Sequence, residues 1–303
     1  MDKSVREIIR SICAEHLDSG HLIMGQCLTA VGWVGGTLPE RHDMTELPCC
    51  DVAGAGFAVG AALVGKRPIY IIRYQGFNWF NAAMIVNYAA KSKELWRKPC
   101  PMFVRSIAME GGIGPVAGSS HHALYYRMPG IKIFSPMTSA EYLTAYRDFL
   151  SGDDVVYVSE HRKAYDNTEE LPTYRGGKPD LVLFPISVTR FAAARAAWAL
   201  ARTLSVAVYH IFQLKPLSLS HQAYADLAQA KFGGIVLDDD YPDGVAKAIA
   251  HDLSVQSGWA QVRVLGLENR TAGFAPQVDN LPPTAEQIAA YIRSMVYERG
   301  TGT

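Results

Sequence analysis

The chain has 303 residues, of which 49% are hydrophobic and 19% charged, with 29 basic and 29 acidic side chains and no net charge. That length supports two ordinary domains with separate cores, and the balanced charge removes the electrostatic case for nucleic acid or an anionic membrane as partner. No stretch reaches the ~18 to 20 apolar residues that a membrane crossing needs, and "MDKSVREIIRSICAEHL" at the start is charged and helical in period rather than a basic-then-apolar leader. The cysteines, Cys13, Cys27, Cys49, Cys50 and Cys100, are odd in number and lack metal-ligand spacing. They read as reduced thiols of a cytoplasmic protein, most of them in the core.

In chain order, residues 3 to 17 form a helix with Val5, Ile8, Ile9, Ile12 and Cys13 on one face. The glycine-rich "GQCLTAVGWVGGTLPE" follows. "AGFAVGAALVG" predicts a helix of small residues that lets a ligand or another backbone come close, ended by Gly65. "RPIYIIRY", "CPMFVRSI", "GIKIFSP" and "VVYVSEH" predict buried strands from their β-branched and aromatic content. Between them lie the helices "NAAMIVNYAAKSKELW" and "TSAEYLTAYRDFL", the second with Thr138 and Glu141 at capping-box spacing. Such alternation predicts a mostly parallel sheet covered on both faces. The polar "RKAYDNTEELPTYRGGKP" is the expected linker, and the domains expected are 1–165 and 179–303 around a linker at 166–178. Beyond it strands and helices alternate again, from "LVLFPI" to the capped helix "TAEQIAAYIRSMV", giving a second, smaller α/β domain.

Several segments could carry chemistry. "GAGFAVG" superficially resembles a dinucleotide loop, but no acid follows Asp51 before Glu94, so the ribose-holding carboxylate expected about 20 residues on is missing. Asp51 therefore stands alone at the mouth of an apolar segment. It reads either as a helix-start residue or as a carboxylate poised to share a proton. "GSSHHALYYRMPG" puts His121 and His122 in a loop suited to proton transfer or anion binding. "YQGFNWF" follows a strand at the carboxyl end where open α/β sheets bind ligands. Its Phe77, Trp79 and Phe80 suit stacking on a flat ring or, equally, a core or interface. "LDDDYPDG" holds four acids, which read as a cation site or, more simply, a solvated loop before a helix.

Together "AGAGFAVGAALVGKRPIYIIRY", "IVNYAAK", "RMPGIKIFSPMTSAEY", "FQLKPL" and "LDDDYPDGV" resemble, in order and spacing, the beta subunits of thiamine-diphosphate-dependent 2-oxo acid dehydrogenases and, more distantly, transketolase. The resemblance implies a thiamine-diphosphate-binding α/β fold, a pyrimidine-type domain followed by a transketolase C-terminal-type domain. It also implies a cofactor shared with an alpha-type subunit, in an α2β2 assembly. In that family a Glu five residues before the glycine of "GFA" bonds a ring nitrogen of the aminopyrimidine; here the position is Asp51, five before Gly56. Asp is shorter by one methylene, roughly 1.3 Å of reach. Phe77 matches the aromatic that packs on the pyrimidine, with Phe80 beside it, and Gln26 stands where the family has an acid. Ala83 replaces the Asp of a family "DQI" helix, and His121 or His122 stands for the family's active-site histidine across a short gap.

The Gly-Asp-Gly diphosphate signature is absent from the sequence. The expectation is a chain that binds the pyrimidine half of thiamine diphosphate while the partner holds the diphosphate and magnesium. The activity implied is cleavage of a carbon–carbon bond next to a carbonyl, either 2-oxo acid decarboxylation with acyl transfer to a lipoyl carrier protein or transketolase-like ketol transfer. A non-catalytic assembly subunit is the competing expectation.

Overall fold

A computed structural model describes residues 3–110 and 113–300. The chain divides into two units. The first takes Met1–Glu170 with Phe212–Pro216 and Gly273–Pro276; the second takes Leu171–Ile211, Leu217–Ala272 and Gln277–Thr303. Among the described residues no helix is long and apolar enough to cross a membrane.

The first unit runs α1 (Val5–Asp18), β1 (Ile23–Gln26), a left-handed turn α2 (Ala30–Gly36), β2 (Thr45–Leu47), α3 (Asp51–Leu63), β3 (Ile69–Ile72), α4 (Asn78–Met84), α5 (Ala90–Trp96) and β4 (Met102–Ala108). It continues with α6 (Gly114–Ala117), α7 (Ala123–Tyr126), β5 (Ile131–Phe134), α8 (Ser139–Ser151) and β6 (Val155–His161). The second unit holds β7 (Leu181–Pro185), α9 (Thr189–Leu200), β8 (Val206–Val208), α10 (His221–Gln229), β10 (Gly234–Leu237), α11 (Val245–Gln256), β11 (Val262–Leu265) and α12 (Ala285–Gly300). The intervening β9 (Gln213–Lys215) pairs antiparallel with β5 at the edge of the first sheet, whose order is β2-β1-β3-β4-β6-β5-β9. The other first-sheet pairs are parallel, and so is the second sheet, β11-β10-β7-β8.

Strands β4 and β6 are buried along their whole length, the pattern of a parallel sheet covered on both sides. Alternation sends Phe103 and Ile107 into a core with Ile9, Ile12, Tyr142 and Phe149 of α1 and α8. Residues in the opposite phase, Tyr70 and Ser106, meet Asn81 and Asn78 of α4. In the second unit, Leu183, Ile235 and Leu237 pack with Ala193 and Ala196 of α9 and Ile288 and Ile292 of α12.

One charged pair lies inside the first core. Arg105 Nε and Nη2 donate to Glu160 Oε1 and Oε2 at 2.6 and 3.0 Å, and both side chains are buried. Tyr142 and Tyr165 hydroxyls donate to the same carboxylate at 2.6 and 2.8 Å, and Arg105 Nη2 also reaches Thr37 Oγ1 at 2.9 Å.

Several expectations are refined. The helix expected over 81–96 starts at Asn78 and passes through a π-turn, Ile85–Ala89, before α5. The Thr284–Gln287 box is complete in both directions. At α8, Thr138 caps Glu141 N, but the Glu141 carboxylate turns to Met137 N. A further box, Ser4 with Glu7, opens α1. Two readings are corrected. Only Cys13 and Cys100 are core residues, because Cys27, Cys49 and Cys50 lie at strand and helix ends and are exposed. Asp238, Asp239 and Asp240 are buried rather than solvated.

Removing one partner of a buried pair leaves the other charge uncompensated. Arg105→Met is expected to destabilise the chain by about 3–5 kcal/mol, measured by urea denaturation; a loss within experimental error would show that the pair is dispensable.

Candidate active site

The carboxyl ends of β1 and β3 and the start of α3 meet around a cavity of about 310 Å³ lined by Gln26, Cys27, Asp51, Tyr70, Arg73 and Phe77, among others. Asp51 is the first residue of α3, where a negative charge also meets the positive end of the helix. The N-cap position belongs to Cys50, and α3 has no side-chain cap bond. The Asp51 carboxylate is thus not used to cap the helix.

It is held from the side. Asn81 Nδ2 donates to Asp51 Oδ1 at 2.8 Å and to the Phe77 carbonyl at 2.9 Å, while Asn81 Oδ1 accepts from the Tyr70 hydroxyl at 2.6 Å. Burial, and then the Asp51 charge, push the Tyr70 hydroxyl well above its ordinary value of 10.0, so it stays protonated and donates. Asn81 is buried, and Asp51 half-buried. A side chain at Gly54 would bring a Cβ within 3.0 Å of that Tyr70 hydroxyl, which accounts for glycine one turn into α3.

Three further predicted residues are placed as follows. Phe77 lines the cavity. Gln26 lines it too, and its Nε2 is buried with no hydrogen-bond partner, an unmet donor facing the same space as an acceptor carboxylate. Phe80 lies outside the lining, 56% exposed, with its ring centroid 6.5 Å from that of Phe77. Cys27 and Cys49 stand at the rim, and the neighbouring Cys27, by its charge and a mutual hydrogen bond, raises Cys49 above its ordinary value.

The two histidines form an adjoining cluster and do not line the cavity. Gln75, in the short turn that presents Phe77, is the hub: its Oε1 accepts from His121 N at 2.6 Å, and its Nε2 donates to Ser159 Oγ at 2.8 Å. His122 Nδ1 lies 3.2 Å from the same Ser159 Oγ. Ser106 Oγ, Asn78 and the Tyr157 hydroxyl continue the buried polar layer at 2.9 and 2.8 Å. The turn can come this close because residue 76 is glycine; a Cβ there would sit 2.3 Å from Val116 O. Burial, with His122 beside it, pushes His121 down to about 4, so it is neutral at neutral pH.

The sequence reading missed Tyr70, Gln75 and Asn81. The available signal was polar residues inside otherwise apolar elements, "PIYII" and "FNAAM".

Residues 38–168 match the family described as transketolase, pyrimidine binding domain. The chain is 29% identical over 142 residues to the mitochondrial pyruvate dehydrogenase E1 component subunit beta of Rattus norvegicus, covering 45% of this chain and 39% of that one. It is 30% identical over 193 residues to the corresponding subunit of Rickettsia felis, covering 57% and 56%. It is 26% identical over 278 residues to the acetoin:2,6-dichlorophenolindophenol oxidoreductase subunit beta of Cupriavidus necator, covering 82% and 79%. The matched stretch thus spans about half or less of the two pyruvate dehydrogenase subunits. Among solved structures, a split gene transketolase described as an inactive beta4 tetramer shares the fold, with TM-score 0.72 at 15% identity over 98% of this chain and 99% of that one.

A pH dependence follows from the buried histidines. Burial first, with a neighbouring cation or histidine, lowers His16 and His121 to about 4 and His161 to about 3, from an ordinary 6.5. Their contribution is complete above the unfolded value of 6.5. It is lost as pH falls from there towards about 4, because only the unfolded chain then takes up the protons. Urea midpoints should therefore drop across that window, and His121→Gln should flatten part of the slope. A flat profile for the unsubstituted chain would contradict the buried, neutral placement.

Proposed function

We propose that this chain, a divergent relative of the thiamine-diphosphate-dependent beta subunits with a transketolase-type pyrimidine-binding domain, is the beta-type subunit of a two-component enzyme. The enzyme cleaves a carbon–carbon bond next to a carbonyl, in the first instance by 2-oxo acid decarboxylation with acyl transfer. The observation that carries the reading is the Asp51 carboxylate, held by Asn81 at the wall of a cavity that also presents Phe77 and the unmet Gln26 amide.

That donor and acceptor set fits an aminopyrimidine. Asp51 offers an acceptor to a protonated ring nitrogen, Gln26 Nε2 offers a donor to an acceptor atom of the ligand, and Phe77 offers a flat face. Bound thiamine diphosphate supplies the electron sink for the cleavage. The protein's part is to hold the Asp51 carboxylate in a fixed direction as acceptor. Asn81 fixes the carboxylate, Tyr70 fixes Asn81, and the same amide ties the Phe77 backbone into the arrangement. His121 and His122, reached through Gln75, are the groups assigned to substrate protons.

The diphosphate and its magnesium belong to an alpha-type partner in an α2β2 assembly, in the cytoplasm, with a lipoyl carrier as acyl acceptor. Surface chemistry supports a covered face beside the site: Phe57 and Trp79 are each 64% exposed, and the rings of Tyr88 and Trp96 stack at 6.4 Å. Ketol transfer would use the same cavity with a different acceptor. The non-catalytic alternative rests on the shorter reach of Asp51.

In the reconstituted complex, Asp51→Ala should lower turnover and cofactor ring-proton exchange by about 100-fold or more, while Asp51→Glu keeps measurable activity. Asn81→Ala should cost less, on the order of 10-fold, since it misdirects the carboxylate without removing it. Equal behaviour of all four proteins would leave only the assembly role.

A further inference from the structure

The chain treats its arginines in two ways. Arg105 and Arg175 are each paired with a carboxylate through two nitrogens, Glu160 at 2.6 and 3.0 Å and Asp226 at 2.6 and 2.9 Å. Arg73 and Arg162 are not. Among the described residues neither forms an ion pair. Arg73 Nε and Arg162 Nε and Nη2 are buried without a hydrogen-bond partner. The remaining Arg73 contacts are long, 3.5 Å to the Cys27 carbonyl and 3.5 Å to the Tyr74 hydroxyl.

Their place in the fold is specific. Arg73 directly follows β3 and Arg162 directly follows β6, the two strands that flank β4. Both therefore leave the sheet at its carboxyl edge, where open parallel sheets take ligands. The two guanidinium carbons lie 5.3 and 5.9 Å from the centroid of one ring, Tyr74, which compensates part of their lost hydration. Arg73 and Tyr74 also line the cavity that holds Asp51. Two half-buried guanidiniums with donors left over and no carboxylate of their own cost stability. Donors so arranged suit a planar or tetrahedral oxyanion that accepts several N–H bonds at once.

We propose that Arg73 and Arg162, with Tyr74 between them, form the anion-recognising end of this site and select a substrate bearing a carboxylate or a phosphate group. The assignment rests on the function proposed above for the substrate's identity, but the anion site itself does not. In this arrangement Asp51 serves the uncharged heterocycle, while Arg73 at the cavity wall and Arg162 beside the same Tyr74 ring serve the negative charge. A carboxylate would belong to a 2-oxo acid, and a phosphate to a phosphorylated ketose.

The test is calorimetric titration of the full chain with pyruvate, with inorganic phosphate and with fructose 6-phosphate. Binding of at least one is expected, weakened about tenfold or more in Arg73→Gln and in Arg162→Gln, and less in Arg162→Lys, which keeps the charge but not the fork. The anion bound most tightly names the substrate group. Thermal melting separates a structural role, because removing unmet buried donors in Arg162→Gln should leave the melting temperature unchanged or higher, whereas a structural arginine would lower it. In the reconstituted complex the same variants should raise KM more than they lower kcat. The proposal is overturned if the unsubstituted chain binds none of the three anions, or if both glutamine variants bind as it does. It is also overturned if the variants lose thiamine diphosphate relative to thiamine while keeping the substrate anions. Anion binding that survives Asp51→Ala, with activity indifferent to Asp51, would leave this site standing and remove the proposed reaction.

Discussion

The first unit is organised around a carboxylate with no access to water. Glu160 accepts from Arg105 twice and from Tyr142 and Tyr165 once each. Those donors come from β4, from α8 and from the segment after β6, and Arg105 reaches on to Thr37 beyond α2. Charge so deeply buried is tolerable only when its bonding is complete. The arrangement therefore fixes how β4 and β6 run side by side, and with that the spacing of the strand ends from which the functional groups emerge.

The site makes opposite use of the same physics. Its polar groups are arranged in a chain in which Tyr70 donates to Asn81 and Asn81 donates to Asp51. The chain ends on a carboxylate at a cavity wall rather than on a cation, so the last acceptor faces the cavity. Asn81 spans from the Phe77 carbonyl to Asp51, which constrains the backbone and the carboxylate together. Phe77 and Asp51 are thereby set against one another by a single amide.

Much of this was legible in the sequence, for identifiable reasons. Strands β3 to β6 announce themselves because each is buried along most of its length and is rich in β-branched residues. Asp51 stands out because nothing acidic follows for four turns and more of apolar chain. β1 and β2 escape detection because they are short edge-side strands, the first ending in Gly25 and Gln26 and the second exposed at Thr45 and Glu46. Asn81 and Tyr70 escape because their value is relational: an asparagine on a helix and a tyrosine on a strand acquire meaning only when β3 and α4 are laid together. The histidine pair was visible as a pair, yet its separation from the cavity by Gln75 is a property of the turn at 75–77 and of Gly76, which no spacing rule reports.

The π-turn at Ile85–Ala89, which itself carries Tyr88, divides one helical run into a part with Asn81 at the cavity and Asn78 in the buried polar layer, and a part that carries Trp96 on the surface. Deleting one residue there would restore ordinary helical winding, because the widened turn is where the extra residue is taken up, and would leave the helix on either side facing nearly as before. One residue can in this way be gained or lost between the amide beside the carboxylate and the exposed ring of Trp96 without turning either away.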